Sequence, residues 1–523
     1  MASARRRLLA RRSPPRIPSG NLTLSPSRAE ERSGGFFIAL ASSVRVPTRR
    51  FTTVTELIER QALSPARSPA VGGPWLAEAR AIAHLAGPLI VTQLAQMAVM
   101  TTDVILLGRY GRTALAAAAI GNTVFYFAWL MGGGPALAVA PIIAQLLGLS
   151  PRDRVGVRTS VRMGLWAVLM TSIPMVVMLW QAKAILLALH QDPVLADNAG
   201  KFVRMVSLEL PFTLGFTVLR GFTTAVGRPR AGMWVMAATI AFNALVGWTL
   251  IFGHFGAPRL GIVGSGLATA LSGVFSFLAM VAVIETDQNL KAYRLFRRFA
   301  RPAMDKLGEV FRLGVPMGLA LIFEAMLFNV MTLVMGSFGV VSLAAHQIAL
   351  NVASITFMVP LGLGMAATVR VGLAAGAGDL HRARRSGFTG MVMGVGFITL
   401  CGAAMALFGR PIAQLYVGGR AVEDLAVIAM AALFLKVAAA FQVFDALQVV
   451  AAQSLRGLKD AHAPMFIAGG SYWLAGAPAC LLLAFTFGLK GFGIWIGLAL
   501  GLAVAAAALF TRFAILTRDR RTT

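Results

Sequence analysis

Apolar runs of about twenty residues, each closed by a cluster of Arg, Gly or Pro, recur from residue 83 to residue 516. About 20 residues of helix cross roughly 30 Å of hydrocarbon. The pattern therefore predicts twelve spans, at 83–107, 114–148, 157–180, 202–226, 231–253, 261–284, 308–336, 341–375, 386–408, 428–455, 463–487 and 491–516. The fold class is an all-α polytopic membrane protein. The second and eighth spans are longer than one crossing needs and carry "GGGP" from Gly132 and "PLGLG" from Pro360. Such punctuation predicts glycine-broken helices of the kind that frame transport sites.

The pattern also repeats. Set against each other, Leu85 to Ile120 and Leu313 to Ile348 match without a gap at a shift of 228 residues. Pro88 meets Pro316, Gly108 meets Gly336, Gly111 meets Gly339, and Gln96 meets Glu324. Six spans followed by six, each half entering from the same side, predicts parallel repeats related by an axis along the membrane normal. The expected organisation is a basic, disordered tail at 1–80, a first bundle at 81–285, a linker at 286–307, a second bundle at 308–516 and a short tail at 517–523. The ladder Gly493, Gly497, Gly501 predicts a close helix contact.

Composition agrees with this solvent: 57% of residues are hydrophobic, 13% are charged and mean hydropathy is +0.74. The net charge of +27 would point to nucleic acid in a soluble protein, but here the basic residues alternate by loop. One set of loops holds Arg152, Arg154 and Arg158, then Arg228 and Arg230, then Lys291 to Lys306 with Arg298 and Arg301, then Arg382, Arg384 and Arg385, then Arg456 and Lys459. The other set is poorer, with Arg420 balanced by Glu423 and Asp424. The positive-inside rule then places both termini in the cytoplasm, and no nucleic-acid partner is expected. Cys401 and Cys480 lie inside spans and read as packing residues. The tail, opening "ARRRLLARRSPPR", resembles an organellar transit peptide in composition. A basic unstructured tail or a start codon set too far upstream is the plainer reading.

Away from their first and last turns the spans hold few carboxylates: Asp103, Glu209, Glu324 and Asp445. Each costs about 2.5 to 3.5 kcal/mol at mid-bilayer, so an acid kept there has a task or a partner. Asp103 is placed to cap its helix or pair with Arg109, and Glu209, just before Pro211, to bond freed backbone. Glu324 and Asp445 have no close cation on their own helices. Phe441, Gln442, Asp445 and Gln448 recur at helical spacing and share a face. Gln347, Asn351 and Ser354 do the same on the eighth span. Two neighbouring carboxylates share a proton or favour Na⁺, and the residues do not choose between the two ions.

At these residues the chain resembles the multidrug and toxic compound extrusion (MATE) transporters, in their bacterial NorM-like branch. The stretches that carry the resemblance are "TTDVILLGRYGRTALAAAAIG", "FEAMLFNVMTLVMGSFGVVSLAAHQIALNVASITFMVPLGLGMAATVRVGLAAGAGD" and "FQVFDALQVVAAQSLRGLKDAHAP", and it extends over about residues 80–516. It implies a V-shaped pair of six-helix bundles that exports organic, often cationic, amphipathic compounds in exchange for H⁺ or Na⁺. The coupling acids of the family correspond to Asp103, Glu324 and Asp445, and its eighth-helix glutamine to Gln347. Acids before the tenth helix correspond to Glu423 and Asp424. Some Na⁺-coupled members have a tyrosine where this chain has Phe441, which removes an oxygen ligand.

The expected site thus comprises Glu324, Asp445 and Asp103 for the coupling cation and Gln347, Asn351, Phe441, Gln448 and Asp424 for substrate. Na⁺, if used, binds at Glu324 and Asp445, and no cofactor beyond the coupling ion is expected. The partners are small organic cations, amphipathic drugs and the bilayer of the cell inner membrane, with the chain acting as a monomer. A rival is a flippase for lipid-linked precursors, whose cavity is usually lined by arginines, whereas these spans place acids at mid-depth. No HExxH pair, phosphate-binding glycine loop or paired-Asp motif points to an enzyme.

Overall fold

The computed structural model describes residues 73–518 except 298, 300, 301 and 418–421 and the side chains of Val422 and Glu423. The tail to residue 72, Arg298, Arg301, Arg420 and the Glu423 side chain therefore lie outside the described residues. Twelve helices are long and apolar enough to cross a membrane. They are α1 (Gly73–Tyr110), α2 (Arg112–Leu149), α3 (Arg154–Trp180), α4 (Pro193–Ala225), α5 (Arg230–Phe252), α6 (Ile262–Thr286), α7 (Met304–Gly336), α8 (Val340–Gly376), α9 (Leu380–Leu407), α10 (Asp424–Gly457), α11 (His462–Thr486) and α12 (Lys490–Leu516). Every expected span is present. Asp153 and Asp379 start α3 and α9 by accepting backbone N–H bonds from Gly156 and Arg382, both at 2.8 Å.

The expected breaks lie elsewhere. Helices α2 and α8 run unbroken through Pro135, Pro141 and Pro360. Their glycines instead form the seam between the halves. A methyl on Gly134 would strike the backbone of Gly314, and one on Gly362, its counterpart in the repeat, would lie 3.0 Å from Ile90 N. Gly148 abuts Leu373 O while its counterpart Gly376 abuts Gln145 O. Residues 145 and 373 are themselves separated by the repeat shift, so one contact is made twice. The helix pairing agrees: α2 packs on α7 as α8 packs on α1, and α3 on α7 as α9 on α1.

True irregularities fall in α4 and α11. A 3₁₀ turn, Ser207–Glu209, interrupts α4, and two π-helical stretches, Ser471–Gly476 and Leu482–Thr486, widen α11. The α12 glycines lie against α11 as the ladder predicts: Gly501 meets Gly476 and Gly497 meets Cys480. Cys480 also donates its thiol to Ile494 O at 3.4 Å.

The α2–α3, α4–α5, α6–α7, α8–α9 and α10–α11 loops share one face, called the basic face below. Helix α1 reaches it from Gly73, ahead of the boundary at 80, because its first turns are anchored. Glu78 is 4% exposed and Arg370 6%. The carboxylate accepts from Arg370 Nε at 2.8 Å and Nη2 at 2.7 Å, and from the Ser386 hydroxyl at 2.7 Å. This bidentate pair ties α1 to α8 and α9, over an apolar layer formed by Ile82, Leu85, Leu89 and Leu363. Gln145 Nε2 donates to Gly457 O at 2.9 Å nearby.

Removing one partner of a buried pair costs about 3–5 kcal/mol, because the other charge is left unanswered. Arg370→Leu is expected to lower the thermal unfolding midpoint of the purified protein accordingly. Adding Glu78→Leu to that variant should restore part of the loss.

Candidate functional site

In the second half, Glu324 sits past the middle of α7, half-buried, and Asp445 lies in α10, 7% exposed. Their charges interact, and Glu324 also feels Arg456. Glu324, Gln448 and Arg456 line one enclosed cavity of about 20 Å³, walled otherwise by apolar groups such as Met317, Leu321 and Ala452. A space of that size admits one water-sized occupant. Gln448 Nε2 donates to the Tyr472 hydroxyl at 2.7 Å, where the first π turn of α11 brings Tyr472 inward. Among the described residues, Asp445 Oδ1 and Gln448 Oε1 are buried without a hydrogen-bond partner. Gln448 lines the cavity and Asp445 lies about one turn before it on α10; free acceptors so placed are what a proton donor or small cation would satisfy.

Arg456 was assigned above to a loop; it is in the last turn of α10 and turns inward to this cavity. Hydropathy ends the span before the arginine, whereas the helix continues and the guanidinium reaches the cavity that Glu324 also lines.

In the first half, Asp103 is 9% exposed. It pairs across helices and not with Arg109: Asn243 Nδ2 of α5 donates at 3.2 Å and the Thr269 hydroxyl of α6 at 3.0 Å. Glu209 reaches toward it from the 3₁₀ turn of α4, close enough for the two charges to interact, with its side chain against Gly273. The irregular turn aims that carboxyl inward, beyond merely bonding backbone groups.

The four α10 residues at helical spacing are all buried, as their shared face predicts. They do different things. Gln442 Nε2 bonds Ala353 O at 2.8 Å and Thr356 Oγ1 at 2.6 Å on α8. Phe441 packs edge-on against Trp495 and Phe328. On α8, Gln347, Asn351 and Ser354 are exposed and do not join the carboxylates; Asn351 accepts from the Tyr416 hydroxyl at 2.9 Å. The buried polar residues at the start of α8 are Ser342 and His346. His346 Nε2 lies 3.1 Å from Thr332 Oγ1 and the ring is edge-on to Trp495 at 5.5 Å. Asp424 opens α10, half-buried. Asn243, Thr269, His346 and Tyr472 were legible only as polar side chains inside apolar runs.

The expected contrast between acids and arginines also needs correction. Arg162, Arg220 and Arg370 are each 6% exposed inside spanning helices. All three stand within about two turns of a basic-face helix end, where hydropathy windows dilute a single charge.

Two parallel six-helix halves with sparse, cross-paired carboxylates define a polytopic membrane protein of the transporter class. The family model MatE matches residues 88–249 and 316–482. A probable multidrug resistance protein NorM of Mesorhizobium japonicum is 45% identical over 447 residues, 85% of this chain and 95% of that protein. A NorM of Pseudomonas aeruginosa is 38% identical over 450 residues, 85% and 90% of the two chains. Among solved structures, the eukaryotic MATE transporter AtDTX14 superposes with a TM-score of 0.76 at 23% identity, covering 85% of this chain and 97% of that one. The chain belongs to the MatE family of multidrug and toxic compound extrusion transporters, in its NorM-like branch.

Asn243→Leu removes one of the two donors to Asp103 while keeping the bulk of the side chain. A buried acceptor left short of a donor costs about 1–3 kcal/mol, expected as a lower unfolding midpoint that Asp103→Asn in the same chain partly reverses.

Proposed function

We propose that this chain is a secondary antiporter. It exports organic, often cationic, compounds in exchange for H⁺ or Na⁺, by alternating access of a site between its two halves. It works as a monomer in the cell inner membrane with both termini, and hence the basic face, in the cytoplasm. The observation that carries this reading is the charge balance around the α7–α10 cavity, which Glu324 and Arg456 line and to which Asp445 is linked through its interaction with Glu324. Two carboxylates, Glu324 and Asp445, and one guanidinium, Arg456, leave a single uncompensated negative charge when all are ionised. One monovalent cation neutralises it, and the cavity has room for one small occupant. The names of the relatives, which describe multidrug resistance, support the substrate class.

The coupling follows from competition. A proton or Na⁺ taken from outside at Glu324 and Asp445 cancels the charge that holds a cationic substrate, and the substrate leaves. Return to the cytoplasmic side releases the ion, and the acids recover their charge for the next substrate. Asp103, with Asn243 and Thr269, supplies a second acidic position in the first half. Exposed Gln347 and Asn351, Gln448 in the cavity wall and Asp424 at the head of α10 meet the substrate. Phe441 acts by holding Trp495 and Phe328 in place.

The test is ethidium efflux from cells with Na⁺ and pH gradients imposed separately. Efflux is expected to follow one gradient, and Glu324→Gln and Asp445→Asn are each expected to abolish it at wild-type protein levels. Full efflux by Glu324→Gln overturns the coupling assignment; no wild-type efflux under either gradient overturns the substrate class.

A further inference from the structure

Arg220 is a buried cation for which the mechanism above has no use. It projects from α4, 6% exposed, and its Nη1 donates to Gln93 Oε1 at 2.5 Å and Gln96 Oε1 at 3.4 Å. Its aliphatic stem lies over Gly232 of α5, where an added methyl would come within 3.2 Å of Cγ. The glycine thus makes room for the side chain to reach α1. Among the described residues, no carboxylate pairs with it, and burial alone dominates its electrostatics. Asp103 lies two turns beyond Gln96 on α1, about 10 Å along the axis, and is engaged by Asn243 and Thr269. The charge that Glu209 feels is that of Asp103.

A buried guanidinium answered only by neutral amide oxygens is under-compensated, since a desolvated charge needs an opposite charge or a full set of strong bonds. The internal repeat says what is missing. Gln96 occupies the position of Glu324, and Glu324 has Arg456 beside it. Each half therefore carries an arginine on its fourth helix that faces this position of its first helix, by a hydrogen bond in the first half and by a charge interaction at a shared cavity in the second, although at the repeat shift itself Arg220 meets Gln448. In the second half that position is a carboxylate. In the first it is an amide of the same length, and the anion is absent. Gln93 and Gln96 are both only half-buried, so the arginine is covered by side chains that a ligand can displace.

We propose that Arg220, with Gln93 and Gln96, receives an anionic oxygen group, namely the carboxylate of a transported compound that also carries a positive charge. The guanidinium fork matches a carboxylate with two parallel bonds, and the glutamine amide groups add donors. Cation and carboxylate then bind to oppositely charged places, the acids and Arg220. This inference rests on the antiporter reading for its substrate, and Arg220 adds affinity for zwitterionic compounds to the affinity for plain cations that the acids supply.

The probe is a rhodamine with a free carboxylate, compared with the methyl ester of the same dye. Efflux of both is followed in cells expressing wild type, Arg220→Gln and Gln96→Glu, and binding of both to the purified protein is followed by fluorescence anisotropy. Either substitution is expected to lower the ratio of carboxylate dye to ester, in efflux and in affinity, by about tenfold or more. Gln96→Glu supplies the carboxylate internally and keeps Arg220 in place, so it tests the idea even where Arg220→Gln fails to fold. An unchanged ratio, or equal losses for both dyes, overturns the proposal. Binding is repeated with chloride replaced by gluconate. If dye affinity rises on chloride removal only in proteins with an intact Arg220–Gln96 pair, with no preference for the carboxylate dye, the receptor serves a free anion and the proposal fails. Wild type that binds the carboxylate dye selectively but moves neither dye would sink the antiporter reading and leave the receptor standing.

Discussion

Charge buried among apolar helices must be answered by another group, and this constraint organises the molecule. Glu78 is answered in full by Arg370 and Ser386, and the result is a rigid tie between halves at the basic face. Asp103 is answered by a neutral amide and a hydroxyl, which hold it without cancelling its charge. Glu324 and Asp445 are answered in part by Arg456, leaving one negative charge. Arg220 is answered by two amides, leaving one positive charge. The same physics grades these sites by how much of the charge is left over.

The helices that carry these groups are placed by glycine. Without the strong drive to bury apolar surface that water provides, helices in a bilayer gain their association from close packing. The α2 and α8 glycines bring backbone against backbone across the seam, which fixes α1 and α7 relative to the opposite half. The polar partners are then brought within bonding distance across helices distant in sequence, as Asp103 is to Asn243 and Thr269.

Twelve spans, the repeat and the carboxylates were legible because each is a property of one segment or of two segments compared directly. Partners were not. Helical spacing told which α10 residues share a face, but not that Gln442 would bond α8 while Gln448 bonded Tyr472. A rotation of one residue, about 100° on a helix, separates exposed Gln347 from buried His346. Arg456 was read as a loop residue and Glu78 was passed over because hydropathy trims a span at its first charge, whereas both helices continue through theirs. Glycine and proline in α2 and α8 looked like breaks because composition does not distinguish a glycine that bends a helix from one that admits a neighbour. The widened turns of α11, which lie against the α12 glycines, left no mark in the pattern.

The seam has one more property. Gly148 rests on Leu373 and Gly376 on Gln145, so the two contacts are images of each other under the relation that links the halves. A rotation that parts the halves at the basic face lengthens both equally and at the same moment, and the Glu78–Arg370 tie stands beside them. The tie itself has no such image, since Lys306 and Ile142 stand at the repeat-related positions. In the antiporter proposed above, the paired glycine contacts are where the two halves part at the basic face, and a change at either glycine is felt at a seam that the repeat builds twice.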